Sequence, residues 1–229
     1  MVGDGMKALH KDFWMEIRKS KARFISIFLI VALGVAFFSG IQASSPDMRY
    51  SGDAYYEAAK LMDLKIQGTL GLTQRDVKAV SDIDGVELAE GGYSTDVMSG
   101  EDDARKVLHL ESISSNFNLL TADEGRIPKK SGEIFLDKPF AKNRGYKIGD
   151  TISVSEDGDS ELLKKTTYTV VGIGSSPLYI SFNRGNTTIG TGEVNGFGYV
   201  LPDNFDQEIY TQIYVLAHGA KALTSYTDG

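Results

Sequence analysis

The segment that most constrains this chain is an uninterrupted apolar run near its N-terminus, at residues 24–41, in which no side chain is charged. As an α-helix, these 18 residues would extend about 27 Å, close to the hydrocarbon thickness of about 30 Å in a typical bilayer. A helix inside a soluble protein is seldom apolar on every face over such a length. The run therefore predicts a transmembrane helix, which we place at residues 24–43.

Two other interpretations of the run stay open, a cleaved signal peptide and a buried core helix. The apolar region of a signal peptide usually has about 7–15 residues, fewer than this run contains. A permissive cleavage sequence, Ala43-Ser44-Ser45, nevertheless follows it. We favour the transmembrane helix because of the length of the run and the long polar segment before it.

Charge is distributed unevenly on the two sides of the run. Residues 1–23 contain six basic and three acidic residues, a net charge of +3, so the remaining residues carry −10 in a formal total of −7. By the positive-inside rule, residues 1–23 are predicted to be cytoplasmic and residues 44–229 extracytoplasmic, at the cell membrane. The acidic main body argues against nucleic-acid binding, which depends largely on neutralising phosphates.

The basic segment before the run is itself amphipathic. Leu9, Phe13 and Ile17 recur at helical spacing, with Trp14 beside them and basic residues on the other side. This pattern predicts a basic helix over residues 6–22 that lies along the membrane interface and contacts lipid, with a possible protein-docking role. The alternative is a charged flank without a partner.

The body of the chain mixes helical and strand patterns, which predicts an α+β fold. Thr73 and Asp76 form a capping-box pattern, and Gly145 follows a short helical pattern as its stop. Helices are predicted at residues 53–63 (a stalk), 73–81 and 139–145. Strands are predicted at residues 64–70, 86–98, 106–113, 132–137, 148–154, 166–173, 197–201 and 209–216. Turns are predicted at 100–103 and, as an acidic hairpin tip, at 156–161.

The sequence offers no constellation for catalysis, cofactor binding or metal binding, so we predict no such site residues and no enzyme. Cysteine is absent, which excludes a zinc–thiolate site and a Cys nucleophile. No Walker A loop occurs, so we expect no ATP site on this chain. His10, His109 and His218 lie far apart without ligand spacing and are predicted to be surface or strand residues. The acidic tip is expected to be a solvated hairpin, with Ca²⁺ attraction as the weaker alternative.

One aromatic, glycine-rich stretch, residues 177–197, has two possible roles. Loops of this composition can present a contact surface. We favour a loop folded over the core.

Several short motifs occur together in a fixed order. They are Glu124-Gly-Arg-Ile-Pro, Gly132-Glu-Ile-Phe-Leu-Asp, Gly145-Tyr-Lys-Ile-Gly-Asp-Thr-Ile and Tyr168-Thr-Val-Val-Gly-Ile. This order resembles the extracytoplasmic core domain of MacB-type, FtsX-like ABC-transporter permeases. The basic opening at residues 6–18 also resembles the cytoplasmic lead of these permeases. We predict a structural role for the motif residues. Gly149 and Asp150, for example, are expected to form a turn before a strand.

The resemblance implies a function and a set of partners. A permease of this kind works with a cytoplasmic ABC ATPase and a second permease unit, and it meets a substrate or partner protein outside the cytoplasm. The resemblance implies that nucleotide-driven movement of the membrane helices shifts the outer domain, for export, extraction or signalling. It also implies two subdomains and further membrane helices, so we expect this chain to be a fragment of a longer permease. The alternative is a single-pass membrane-anchored binding or adhesion module.

Overall fold

The computed structural model describes residues 3–100, 105–156, 162–181, 183–206 and 208–223. The chain forms two compact units, Met1–Gly52 and Asp53–Gly229. The predicted turn at 100–103 and the acidic tip at 156–161 fall almost entirely outside the described residues.

The first unit is helical. Helix α1 spans Gly3–Lys19 and helix α2 spans Lys21–Ala58. Backbone hydrogen bonds continue through the single residue between them, because Ser20 N donates to Glu16 O at 3.0 Å and Phe24 N donates to Ser20 O at 3.0 Å. Within the described part of the chain, α2 is the one helix long and apolar enough to cross a membrane.

The helix predicted at 53–63, as a continuation away from the membrane, is present as far as Ala58. Its first residues are the last turns of α2, which continues past Pro46 even though proline lacks the N–H of a helical hydrogen bond. The helix ends before Lys60, which has a positive φ of 48°. Residues 59–63 therefore form a connection to the first strand rather than a helix.

The second unit contains two sheets, and most of their strands lie where strands were predicted. The smaller sheet consists of β1 (Leu64–Leu72), β2 (Val86–Gly92) and β10 (Tyr210–Ala217), in the order β1-β10-β2. The larger sheet consists of β3 (Ser94–Ser99), β4 (Lys106–Ser112), β5 (Thr121–Gly125), β6 (Glu133–Asp137), β7 (Thr151–Ser155), β8 (Thr167–Ser175) and β9 (Gly196–Val200).

The smaller sheet is covered by helix α3, Gln74–Ser81. The predicted capping box is confirmed, because Thr73 N donates to Asp76 Oδ2 at 2.7 Å and Thr73 Oγ1 accepts from Asp76 N at 3.4 Å. Val77 is the buried residue of this helix, and it packs on Ile213 and Val215 of β10. The smaller sheet and α3 thus have a hydrophobic cluster of their own.

The larger sheet closes on itself. Its order is β5-β8-β6-β9-β4-β3-β7, and β7 pairs with β8 as well as with β3. Alternate residues of the six strands in the closed ring, which does not include β5, point into the enclosed core, as the two-residue period of a strand requires. That core is completed by Phe140 and Ala141 of helix α4 (Lys138–Arg144), which ends as predicted at Gly145 with a φ of 77°. The mixture of two sheets and short helices confirms the α+β class.

Two details of the strand prediction differ from the structure. The segment 86–98 is not one strand, because the chain leaves β10 after Gly92 and pairs with β4 from Ser94 onward. Tyr93 lies at the break, where its ring stacks on Phe205 with centroids 5.2 Å apart. Strand β5 was not predicted, and all its residues are exposed.

Candidate functional site: a polar cluster beneath a loop

The strand register places three ionisable side chains on the outward face of the larger sheet. Asp96 of β3 pairs directly with His109 of β4, and Glu111 follows His109 by two residues on the same face. Phe197 and Tyr199 of β9 lie beside them, because they pair with His109 and Glu111. The enclosed core lies on the other face, so this polar cluster is separate from it.

His109 bridges the two carboxylates. Its Nδ1 lies 2.5 Å from Asp96 Oδ1, and its Nε2 lies 3.4 Å from Glu111 Oε1. Burial opposes the charged imidazolium, but the hydrogen bonds and charges of the two carboxylates outweigh it and raise the pKa of His109 to about 9. At neutral pH the ring is therefore a cation that donates from both nitrogens.

The same pairing keeps the carboxylates ionised. Burial would raise the pKa of Glu111, whose side chain is only 1% exposed, yet the hydrogen bond and charge of His109 lower it. For Asp96, burial is likewise outweighed by hydrogen bonds from His109 and Thr187, which lower the pKa. The cluster is a buried arrangement in which one cation is shared by two anions.

The loop between β8 and β9 covers this cluster and donates hydrogen bonds to it. Thr187 Oγ1 donates to Asp96 Oδ2 at 2.6 Å, and the Tyr179 hydroxyl donates to Glu111 Oε1 at 3.3 Å. The Tyr179 ring also stacks on Phe197, with centroids 4.6 Å apart. Each carboxylate thus receives a hydrogen bond from the loop as well as from His109.

A second ion pair holds the middle of the loop. Arg184 donates from Nε and Nη2 to the two oxygens of Asp137, at 3.0 Å and 3.1 Å. Its Nη1 donates to the carbonyl oxygen of Tyr179 at 2.7 Å and to that of Ser181. The guanidinium carbon lies 5.6 Å from the centre of the Phe197 ring, a cation–π distance. Asp137 is only 2% exposed, so this pair is desolvated.

The contacts around this cluster fix the position of the loop. Each carboxylate accepts from at least one internal donor, although Glu111 Oε2 is buried without a hydrogen-bond partner, and no nucleophile is placed against His109 among the contacts of the described residues. Within the described ranges, no group of His, Asp and Glu side chains is arranged to hold a metal ion. The three loop residues Tyr179, Arg184 and Thr187 each contact a different carboxylate, which determines where the loop lies.

The sequence predictions for this region are partly confirmed. The stretch 177–197 folds over the sheet as favoured, although Ile180 at its tip is 62% exposed and Phe182 lies outside the described residues. His109 is on a strand, as predicted. Its position between two carboxylates was not predicted. His218 is exposed in the turn after β10, also as predicted.

The family-like motifs are structural, as expected. Arg126 makes two hydrogen bonds to Glu133, at 2.7 Å and 2.5 Å, and Glu133 also accepts from the backbone N–H of Lys129 at 2.8 Å. Gly149 has a φ of 94°, and Asp150 Oδ2 accepts from Lys147 N at 2.8 Å in the turn before β7. These contacts position strands and turns.

The helix and the two-sheet domain define a class of protein: an α+β domain that follows one membrane-compatible helix. A family model described as the MacB-like periplasmic core domain matches residues 24–226, which include both. The chain therefore belongs to the family of MacB-like periplasmic core domains, which are parts of ABC-transporter permeases.

Other comparisons gave more distant similarity. No curated protein matches the chain. The chain is 13% identical to the extracellular domain of the noncanonic ABC-type transporter YknZ from Gram-positive bacteria, with a TM-score of 0.44 over 67% of this chain and 76% of that one. It is 13% identical to the periplasmic region of MacB from Actinobacillus actinomycetemcomitans, with a TM-score of 0.41 over 68% and 67%. It is 12% identical to a domain of a putative permease protein from Porphyromonas gingivalis, with a TM-score of 0.39 over 66% and 70%.

Proposed function

We propose that this chain supplies a membrane helix and the extracytoplasmic domain of an ABC-transporter permease driven by a separate cytoplasmic ATPase. The observation that carries the proposal is the family match, which runs from the apolar run through the two-sheet domain. The permease would couple ATP hydrolysis to movement of its outer domain, for export, extraction or signalling. It would act with a second permease unit and meet its substrate or a partner protein outside the cytoplasm.

The proposed topology has residues 1–23 in the cytoplasm, 24–43 in the membrane and 44–229 outside. The net charge of +3 before the apolar run supports this orientation. An outer domain that transmits motion has to move as a rigid body. The buried ion pair and the hydrogen bonds that fix the loop between β8 and β9 are suited to this demand. In this proposal the chain performs no covalent chemistry.

The absence of native cysteine permits a clean test of the topology. Lys11 and Lys129 are both exposed, so a single cysteine at either position is open to labelling. In intact cells, a membrane-impermeant maleimide should label Lys129→Cys and leave Lys11→Cys unlabelled until the membrane is permeabilised. Labelling of both positions, or of Lys11→Cys alone, would overturn the proposed orientation.

The partner ATPase can be tested with the same two variants. A maleimide that carries a photo-crosslinker is attached at Lys11→Cys or Lys129→Cys, in membranes that also contain an ATPase with a Walker A loop encoded beside this chain. We expect a crosslink to the ATPase from Lys11→Cys and none from Lys129→Cys. A chain that crosslinks from neither position, in membranes where both proteins are present, would favour the anchored binding module.

A further inference from the structure

Four basic residues surround the junction between α1 and the apolar run. Arg18, Lys19, Lys21 and Arg23, which we call the basic collar, are all exposed. None of the ion pairs formed by the described residues involves them. The collar thus presents four cations in six residues, directly before the uncharged run that begins at Phe24.

The helix geometry distributes these cations around the axis. Helical hydrogen bonds continue through Ser20, so successive residues in this region turn by about 100°. The collar then spans roughly 200° of the helix circumference, and the remaining sector carries Phe13 and Ile17. A cationic surface of this width can contact several small anionic groups at once.

The length of the collar matches one layer of a membrane. From Arg18 to Arg23 the helix rises by about 7.5 Å. The headgroup region on each side of a bilayer is about 5–7 Å thick, since the whole bilayer measures about 40–45 Å around a hydrocarbon core of about 30 Å. If the residues from Phe24 onward occupy the hydrocarbon, the collar lies at the depth of the phosphates.

We propose that the basic collar binds anionic phospholipid headgroups and enriches them around this helix. The inference rests on the proposed membrane insertion of α2 and extends it by naming the lipid class and the residues that select it. Charge complementarity carries the argument, because each Lys or Arg near an anionic membrane surface adds attraction that neutral lipids do not supply. Lys and Arg are donors without an acceptor, so phosphate oxygens suit all four residues.

A tryptophan at the start of the apolar run is the reporter for this proposal. Trp14, the single tryptophan of the chain, lies about 15 Å along the axis from Phe24, beyond the reach of a quencher in the acyl chains, so the reporter chain carries Trp14→Phe and Phe24→Trp. Brominated acyl chains quench a nearby tryptophan. The full chain would be reconstituted in nanodiscs with equal amounts of phosphatidylcholine and phosphatidylglycerol, with bromine placed on one lipid or the other.

We expect brominated phosphatidylglycerol to quench the tryptophan at position 24 at least about twice as strongly as brominated phosphatidylcholine. A variant with all four collar residues changed to Gln should remove the difference. A matched control removes the same charge from the outer domain, by changing the exposed residues Lys129, Lys130, Lys142 and Lys147 to Gln, and should retain the difference.

The outcomes separate this inference from the proposed function. Equal quenching by the two lipids in the reporter chain with its collar intact would overturn lipid selection while leaving membrane insertion intact. A preference that survives in the collar variant would overturn the role of these four residues. If neither brominated lipid quenches the tryptophan at position 24, both the inference and the insertion on which it rests are refuted.

Discussion

The stability of the outer domain should depend on pH through His109. Burial lowers the pKa of this residue and its two carboxylate partners raise it, so that the folded value moves from 6.5 to about 9. Because a tenfold change in a protonation equilibrium corresponds to about 1.4 kcal/mol, the protonated ring stabilises the folded state by about 3 kcal/mol. Its side chain is 22% exposed, so solvent screens this interaction only in part.

The direction of this pH dependence follows from the protonation of His109 in the folded and unfolded chains. Below pH 6.5 the ring is protonated in both the folded and the unfolded chain, and the contribution of His109 is fully present. Between 6.5 and about 9 the unfolded chain has lost this proton while the folded chain still holds it. The contribution therefore decreases as pH rises through this window and is lost above it.

The assay is urea unfolding of the full chain in detergent, followed by near-ultraviolet circular dichroism of its tyrosines. The free energy of unfolding is measured for the unmodified chain and for His109→Gln at several pH values from below 6.5 to above 9. The difference between the two proteins should shrink by about 3 kcal/mol across this range. His218→Gln is the matched control, because His218 is exposed in a turn, and this variant should retain the full pH dependence.

A constant difference between the unmodified chain and His109→Gln across the whole range would refute the reasoning. It would mean that the folded and unfolded states bind the proton of His109 equally well. The two carboxylates would then not act on the ring as their distances indicate.

Three substitutions test other contacts of the second unit by the same unfolding measurement. A Cβ at Gly198 would lie 2.8 Å from Leu110 Cδ2 in the enclosed core, so Gly198→Ala should destabilise the domain by about 1–3 kcal/mol, and an unchanged midpoint would contradict this packing. Arg184→Met leaves Asp137 buried without its cation and should cost about 3 kcal/mol, whereas a loss below about 1 kcal/mol would show that the pair is solvated. Thr73→Ala removes the N-cap of α3 and should cost about 1 kcal/mol, and equal stability would mean that the cap has another donor or acceptor in solution.

The local features of the fold could be predicted from the sequence because each depends on a few neighbouring residues. The capping box at Thr73 and the stop at Gly145 are determined by side-chain chemistry and backbone conformation within one turn. Most strands followed from short apolar or β-branched segments. Strand β5 could not be predicted because all its residues are exposed, so its sequence shows no apolar alternation.

The polar cluster depends on long-range pairing, which periodicity does not reveal. Asp96 and His109 meet because β3 and β4 pair in one particular register. Arg184 and Asp137 are 47 residues apart and meet only after the loop has crossed the sheet. The spacing of His109 and Glu111 was a local signal for a shared strand face. It did not identify Asp96 or the loop residues that donate hydrogen bonds to the cluster.

The buried charges restrict the position of the loop more than apolar contacts alone would. A shift of β3 by one residue against β4 would turn Asp96 to the opposite face, away from His109, and would leave charged groups buried without partners. The same shift would also turn Val97 of β3 out of the enclosed core, so apolar burial and the charges require the same register. The cluster therefore selects one register for the sheet and one position for the loop.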